Sequence, residues 1–390
     1  MRRFIALSFV AALALGTPVA AETITPQAAI ARLFTSDKID PDWFAPSLLQ
    51  QAPVAQVQAV IDSLKGQLGA YKEVRPDGDH FDTVFETGYV PTYISLDGEG
   101  HILSLIFRPP APTTKDLSGA LDKMRALPGK ISVFIESGST AMQGIAADQT
   151  LAVGSAFKLA VLSAVKKQVD AHRMSWTQIL TVRTQWKSLP SGVLQTWPDG
   201  SPLTLNSVAA LAISQSDNTA ADLLAHAVGR SAVEAESPHN TPFLTTREAF
   251  ILKDPANSAL LAKWRAGNST ARTALLAQID AKPLPSAAIF SGGVTAQDVE
   301  WSFSTRELCG LMSRVASLPL MSINPGIADP SQWAHVSYKG GSEPGVLNLT
   351  TQVVSKSGKT YCVSATWNDT KPLDEKRFEL LYGLLLNSLE

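Results

Sequence analysis

The sequence predicts an α+β protein with two domains, and three observations lead to this prediction. Apolar residues between Val54 and Leu68 recur at helical spacing, and short segments rich in β-branched and aromatic residues follow between positions 81 and 107. The proline-rich stretch 109–114 interrupts both patterns, as an interdomain linker would. After it, candidate strands lie at both ends of the remaining chain, with a helix-rich region between them.

The domains are placed at residues 22–110 and 111–390. In the first, helices precede the candidate strands 81–86, 90–96 and 101–107, an order that suits a small, cone-like α+β unit with a curved antiparallel sheet packed on helices. In the second, the patterns predict a helix at 115–127, strands at 131–136, 346–354 and 360–367, and a last helix that begins near Asp374.

Residues 1–21 have the pattern of a secretory signal peptide. Arg2 and Arg3 precede an apolar run from Phe4 to Leu15, and small residues at 19–21 form a cleavage site. The apolar run holds 12 residues, too few to span a bilayer, and no later stretch is long and apolar enough. The sequence therefore predicts a secreted, periplasmic protein without a membrane span after cleavage.

The charge balance argues against polyanionic partners. Cleavage would remove two of the 33 basic residues and none of the 35 acidic ones, which leaves 31 − 35 = −4. Such a chain has no electrostatic footprint for nucleic acid or for an anionic membrane. We therefore expect neither nucleic acid nor a membrane surface as a partner; the small-molecule substrate that we expect instead is implied by the resemblance given below.

The two cysteines and six histidines suggest neither a metal site nor a cofactor. The histidines are dispersed, and no two have the spacing of metal ligands. Cys309 falls on a predicted helix and Cys362 on a predicted strand. An exported chain permits a disulfide between them, but we expect two separate buried thiols.

Two short motifs predict nucleophilic catalysis. Ser155 and Lys158 form an S-x-x-K element at the start of an apolar helical run, and Ser216-Asp217-Asn218 follows 61 residues after Ser155. One helical turn separates Ser155 from Lys158, so their side chains share a face. A desolvated lysine can be neutral enough to take the proton of a serine hydroxyl. A second S-x-x-K, Ser163 to Lys166, lies inside the same run, where its hydroxyl would face a neighbouring turn.

A third element, lysine followed by small residues, has two candidates. Lys356-Ser357-Gly358 fits the K-[ST]-G pattern, whereas Lys339-Gly340-Gly341 departs from it at the middle position. The segment from Ser355 to Lys359 separates two predicted strands and is typical of a hairpin turn. We therefore assign the element to Lys339, which is followed by two strands and a helix.

With these three elements in order, the chain resembles the class A-like serine β-lactamases and penicillin-binding proteins. It resembles in particular a subgroup that carries a small cyclase-like or steroid-isomerase-like domain ahead of the hydrolase domain. Stretches that carry the likeness include Leu189-Pro190-Ser191-Gly192 and Lys339-Gly340-Gly341-Ser342. The resemblance implies a β-lactamase/transpeptidase-like fold for residues 111–390, in which the first and last segments join one antiparallel sheet.

The resemblance also implies roles for individual residues. Ser155 would be the nucleophile, Lys158 the general base and Ser216 a proton relay to the leaving group. Asn218, Gly341 and Ser342 would contact the substrate, and Lys339 would add positive charge. The backbone N–H groups of Ser155 and Ser342 would form the oxyanion hole.

Three departures from the family pattern bear on substrate and turnover. Gly340 lacks the hydroxyl that would contact a substrate carboxylate, and residues 347–354 contain no arginine to compensate. The E-x-x-x-N segment that supplies the deacylating base has one counterpart here, Glu236 to Asn240, in a shortened loop. Glu236 is therefore a candidate base.

The sequence leaves three functions open. The first is an exported hydrolase that forms an acyl-enzyme on Ser155 and cleaves β-lactams or related amides and esters. The second is a D-alanyl-D-alanine carboxypeptidase or esterase with the same fold. The third is an acyl-binding sensor or structural domain that does not turn over.

Overall fold

The computed structural model describes residues 24–108, 110–112 and 115–389. The predicted signal peptide, residues 1–21, lies outside these ranges. The chain divides into two compact units between Arg108 and Pro109. The boundary expected from the sequence lies two residues further on.

The first unit consists of three helices followed by an antiparallel meander. Its elements are α1 (Pro26–Thr35), α2 (Pro46–Gln51), α3 (Val54–Leu68), β1 (Tyr71–Asp77), β2 (His80–Phe85), β3 (Gly88–Leu96) and β4 (Ile102–Phe107), and its strands pair in the order β1-β2-β3-β4. The sequence does not predict β1, because six of its seven residues are at least partly exposed and charged residues interrupt any apolar alternation.

The second unit contains the remaining helices and strands. They are β5 (Ala111–Pro112), α4 (Leu117–Arg125), β6 (Lys130–Ser137), β7 (Thr140–Ile145), β8 (Leu151–Ala152), α5 (Lys158–Asp170), β9 (Ile179–Thr181), β10 (Pro202–Thr204), α6 (Leu205–Ser214), α7 (Asn218–Val228), α8 (Arg230–Glu234), α9 (Thr246–Lys253), α10 (Ser258–Ala266), α11 (Ser269–Asp280), β11 (Ser302–Phe303), α12 (Thr305–Val315), β12 (His335–Glu343), β13 (Val346–Val354), β14 (Thr360–Asn368) and α13 (Glu375–Asn387).

One five-stranded antiparallel sheet organises this unit, with strand order β12-β13-β14-β6-β7. The alternation along β6 explains its two faces: Val133 and Ile135 pack with residues of α4 and α13, whereas Phe134 packs with the helical core around α5 and α12. Early and late segments of the unit therefore share one sheet. This confirms the predicted α+β, β-lactamase/transpeptidase-like fold.

The C-terminal strands lie close to their predicted positions. Strand β13 has the predicted bounds, and β14 extends one residue beyond them. Between them, the backbone N–H of Ser355 donates to the carbonyl oxygen of Lys359 at 2.8 Å, and that of Gly358 donates to Ser355 at 2.9 Å. Lys356 therefore lies in a hairpin turn, as predicted.

The expectation of two separate thiols is wrong, because Cys309 and Cys362 form a disulfide with a Cα–Cα distance of 5.9 Å. Cys309 lies on α12 and Cys362 on β14, the element types that the sequence predicts. The sequence does not reveal that α12 lies across the sheet at β14, and this packing brings the two sulfurs together.

Among the described residues, no helix combines the length and apolarity needed to cross a bilayer.

Candidate active site

Ser155 lies in a 3₁₀ turn, Gly154–Phe157, that leads directly into α5. The helix begins in the core, since its first eight residues are all buried, and the turn is held against β12. Gly154 has φ of 49°, and a Cβ on it would come within 3.1 Å of the backbone nitrogen of Ser342. Glycine therefore allows the turn to approach the strand closely.

Lys158 lies beneath Ser155 and is only 1% exposed. Its Nζ is 3.0 Å from Ser155 Oγ, 2.7 Å from Asn218 Oδ1 and 2.5 Å from the carbonyl oxygen of Ser216. Burial, and next the positive charge of Lys339, lower the pKa of the Lys158 amine well below its usual value. A larger fraction of this amine is therefore neutral and able to accept a proton.

The Ser216-Asp217-Asn218 loop is fixed by the buried Asp217 carboxylate. One oxygen caps α7 by accepting from the backbone N–H of Ala220 at 2.8 Å, and the other accepts from Val193 at 2.6 Å. Gly192 packs against this carboxylate, where any Cβ would overlap it. Ser216 is held with φ of 55°, a left-handed conformation that is uncommon outside glycine.

Lys339 reaches the same loop from β12. Its Nζ is 3.0 Å from Ser216 Oγ, while Lys158 Nζ approaches that hydroxyl to 3.2 Å on another side. Lys339 is 3% exposed, and burial lowers its pKa to about 7. The Ser216 hydroxyl thus lies between two desolvated lysines.

Gly341 lets β12 contact the 3₁₀ turn. A Cβ at this position would overlap the carbonyl oxygen of Val153 and the backbone nitrogen of Ser155. The residue that follows, Ser342, therefore lies beside Ser155, and both line the two cavities described next. The structure thus brings together seven of the predicted site residues: Ser155, Lys158, Ser216, Asn218, Lys339, Gly341 and Ser342.

Two cavities meet at Ser155. The first, of about 530 Å³, is lined by Asn218 and Thr246 together with the aromatic rings of Phe250, Phe290 and Trp301. We call it the acyl cavity.

The second cavity, of about 350 Å³, contains Ser216 and Lys339 but neither Asn218 nor Thr246. We call it the leaving-group cavity, after the proton-relay role that the resemblance implies for Ser216.

Glu236 is not brought to Ser155. Its buried carboxylate accepts from Ser163 Oγ at 2.8 Å and from Arg314 at 2.6 Å, and it also pairs with Lys167. Burial by itself would raise the pKa of the Glu236 carboxyl. The three partners, chiefly Lys167, outweigh this effect and lower the pKa below its usual value. Since Glu236 lines neither cavity, it is not positioned to activate water at Ser155.

Tyr338 occupies the space that a hydroxyl residue at position 340 would need. A Cβ on Gly340 would overlap the Tyr338 hydroxyl, because residues two apart on a strand share a face. A tyrosine two residues before Gly340 is the sequence feature that could have indicated this filled space. Substituting threonine at Gly340 therefore requires the Tyr338 ring to move.

Sequence reasoning missed three other residues at the site. Ser191 Oγ donates to the carbonyl oxygen of Ser216 at 2.7 Å and lines both cavities. Thr246 begins α9, after a capping box between Thr245 and Glu248 that the S/T-x-x-E spacing could have indicated. Glu375 accepts from Ser342 Oγ at 3.0 Å and lines both cavities; no sequence motif indicates it.

One group of potential metal ligands lies in the first unit. Asp77, His80 and Asp82 each offer one atom, and the three atoms lie within 4.8 Å of one another. Arg75 lies 3.4 Å from Asp82, so a guanidinium already balances part of this charge. A second group of three potential ligands consists of Glu136, Cys309 and Cys362, and its two cysteines are joined in the disulfide.

Comparison with known proteins gives one family match and several distant structural similarities. Residues 114–236 match the model of a family described as the beta-lactamase enzyme family. A search of curated proteins found no match.

Among solved structures, the chain is similar to PBP-A, at 16% identity over 71% of this chain and 97% of that chain, with a TM-score of 0.47. It is similar to a beta-lactamase from Sphaerobacter thermophilus DSM 20745 at 21% identity, over 71% of this chain and 97% of that one, with a TM-score of 0.45. A mutant of the class A beta-lactamase of the last common ancestor of Gram-negative bacteria gives 15% identity, 69% and 97% coverage, and a TM-score of 0.48.

Proposed function

We propose that the second unit is an exported serine hydrolase of the β-lactamase type, which forms a covalent acyl-enzyme on Ser155. The observation that carries this proposal is the pair of Ser155 and Lys158, with 3.0 Å between hydroxyl and amine and with the amine buried. Serine becomes a useful nucleophile only beside a base, and a buried lysine with a lowered pKa can be that base. The match of residues 114–236 to the beta-lactamase family supports the same chemistry.

In the acylation step, Ser155 Oγ attacks the substrate carbonyl carbon while its proton passes to Lys158 Nζ. The oxygen that becomes negative would be held by the backbone N–H groups of Ser155 and Ser342. The bond to the leaving group then breaks, and the leaving group takes a proton from Ser216 Oγ. Lys158 Nζ, 3.2 Å from that hydroxyl, returns the proton that it accepted.

The two lysines would divide their work according to their contacts. Lys158 touches both Ser155 and Ser216, so it can move a proton between them. Of these two hydroxyl groups, Lys339 contacts only that of Ser216. It would therefore stabilise negative charge on Ser216 Oγ as the proton leaves. The aromatic rings of the acyl cavity favour a substrate with an apolar acyl group, and the amide of Asn218 would orient it.

Deacylation is the weaker half of the proposed reaction. With Glu236 engaged elsewhere, the carboxylates that line the acyl cavity are Glu343, which pairs with the buried Lys253, and Glu375, which binds Ser342. Each has an oxygen engaged by its partner, so neither is placed as a dedicated base for water at Ser155. We therefore propose that the acyl-enzyme is hydrolysed slowly, which keeps the acyl-binding sensor as the second candidate function.

Time-resolved intact mass measurement tests this proposal. The full chain is incubated with a fluorophosphonate, with benzylpenicillin or with p-nitrophenyl acetate, and the mass is followed from seconds to hours. We expect one adduct with each reagent, and loss of the acetyl adduct before that of penicillin. Absence of any adduct at Ser155 would contradict the proposal, and a permanent penicillin adduct would favour the sensor.

A further inference from the structure

The leaving-group cavity carries an unusual charge. Glu375 and Glu379, one turn apart on α13, both line it beside Lys339, Tyr338 and Gly340. Lys339 is the one cationic side chain among the described residues that line it, and its pKa is about 7. The lining therefore holds two carboxyl groups and a single lysine.

The two carboxylates are available to a ligand. Glu375 uses one oxygen to accept from Ser342, and Glu379 has no ion-pair or hydrogen-bond partner among the described residues. Partial burial, and next the charge of Glu375, raise the pKa of Glu379. A cation placed between them would relieve this repulsion.

Among the described residues of β12 and β13 that line the cavity, Lys339 is the one side chain with a cationic group. The Tyr338 hydroxyl fills the space beside Gly340, and burial and then the negative charge of Glu379 raise its pKa. On β13, Leu347 and Leu349 line the cavity with Asn348, whose amide nitrogen is used within the sheet by Ala365 and Thr366.

We propose that this cavity binds an ammonium group carried by the leaving group of the substrate. Carboxylates attract an alkylammonium ion, and an aromatic ring adds to this attraction where the cation lies over its face. The inference rests on the proposed acylation of Ser155, since it defines which side of the bond enters the cavity. The leaving alcohol or thiol takes its proton from Ser216 Oγ and departs with its positive charge unchanged.

Three thioesters that differ in the charge of the leaving group test the inference: acetylthiocholine, its neutral isostere 3,3-dimethylbutyl thioacetate, and S-acetyl-3-mercaptopropionate. Release of thiol and acetylation of Ser155 are measured at pH 8. We expect kcat/KM to be about tenfold higher for the cation than for the neutral ester, and lowest for the anion. Glu379→Gln should lower the cation-to-neutral ratio about threefold, and Glu375→Gln,Glu379→Gln should bring it close to one.

A control and a binding measurement separate the possible failures. Glu73→Gln, at an exposed position on β1, should leave the ratio unchanged. Choline should slow fluorophosphonate labelling of the wild type more than 3,3-dimethylbutanol does, and this difference should shrink in Glu379→Gln. A ratio near one while the neutral ester acetylates Ser155 would overturn the ammonium site and leave the hydrolase proposal standing. Failure of fluorophosphonate labelling would overturn both.

Discussion

Helix α5 and the turn before it carry the same S-x-x-K spacing twice, in opposite electrostatic surroundings. The hydroxyl of Ser155 meets Lys158, whose amine is buried among hydroxyl, amide and carbonyl groups with Lys339 nearby. The hydroxyl of Ser163, two turns later, donates to the carboxylate of Glu236.

The lysines differ in the same way. Lys166 forms an ion pair with Asp170 at 2.6 Å near the surface, whereas Lys158 contacts no carboxylate in this part of the structure. A carboxylate partner stabilises the charged amine, while burial beside another cation destabilises it. The spacing thus brings serine and lysine together, but the neighbours decide whether the lysine can act as a base.

The largest contrast should appear in covalent labelling of the two serines. Ser155→Ala should abolish labelling by a fluorophosphonate, because it removes the hydroxyl that we propose Lys158 activates. Ser163→Ala should keep the label at Ser155, at a cost in stability of about 1–3 kcal/mol from the lost hydrogen bond to buried Glu236. Peptide mapping of the labelled protein checks the position, and a label on Ser163 would reverse the assignment.

Replacing Lys158 or Lys166 with methionine tests whether the surroundings of the lysine decide its ability to act as a base. Lys158→Met should slow acylation about 10³-fold, the usual scale for losing a positioned base. Lys166→Met removes an ion pair near the surface and should change the rate by less than about threefold. The rate constants are obtained by stopping the labelling reaction at successive times and measuring the labelled fraction by mass spectrometry. Equal effects from the two substitutions would show that Lys158 is not the base.

A smaller effect is expected from the lysine on β12. Lys339→Ala should slow acylation about 10²-fold, because Ser216 loses the charge next to its hydroxyl. Lys356, in the hairpin turn, gives the matched control, and Lys356→Ala should stay within a few-fold of the wild type. If the ranking were opposite, the third motif would belong to the turn.

The smallest expected effect is on the way the free energy of unfolding changes with pH. The pKa of Lys339 is 10.5 when unfolded and about 7 when folded. Between these values the unfolded state binds more protons, so stability should rise with pH by up to about 1.4 kcal/mol per unit.

Urea unfolding at pH 7, 8 and 9 measures this slope. In Lys339→Met the slope should be smaller by up to about 1.4 kcal/mol per pH unit, the contribution of one proton. A positive slope should remain, because the pKa of Lys158 is also lowered in the folded state. The slope should be unchanged in Lys166→Met. An equal slope in Lys339→Met and the wild type would contradict the lowered pKa.

Much of the site could be predicted because its parts are short and local. Ser155 and Lys158 lie within one turn, Asp217 caps the helix that follows it, and Lys356 falls in a turn with its own composition. Each is recognisable without knowledge of the rest of the fold. The α+β class followed from the pattern of helices and strands, whereas the β-lactamase-like topology followed from the resemblance.

The wrong expectations depend on contacts between distant segments. The disulfide requires α12 to lie across β14, and the position of Glu236 is set by Lys167 and Arg314. Strand β7 was missed because its residues are exposed or only partly buried, as expected for an edge strand without apolar alternation. None of these features has a local sequence pattern.

The strand order of the second unit determines when its candidate active site can assemble. Strand β6 hydrogen-bonds to β14, so Ile131, early in the second unit, pairs with Trp367, late in the same unit. Lys339 likewise reaches the Ser216 loop only when β12 has joined the sheet. Pairings over such sequence separations form slowly, because the whole intervening loop must close first. A growing chain therefore carries β6 without its partner strand, and the proposed site cannot assemble, until β12 and β14 have been made.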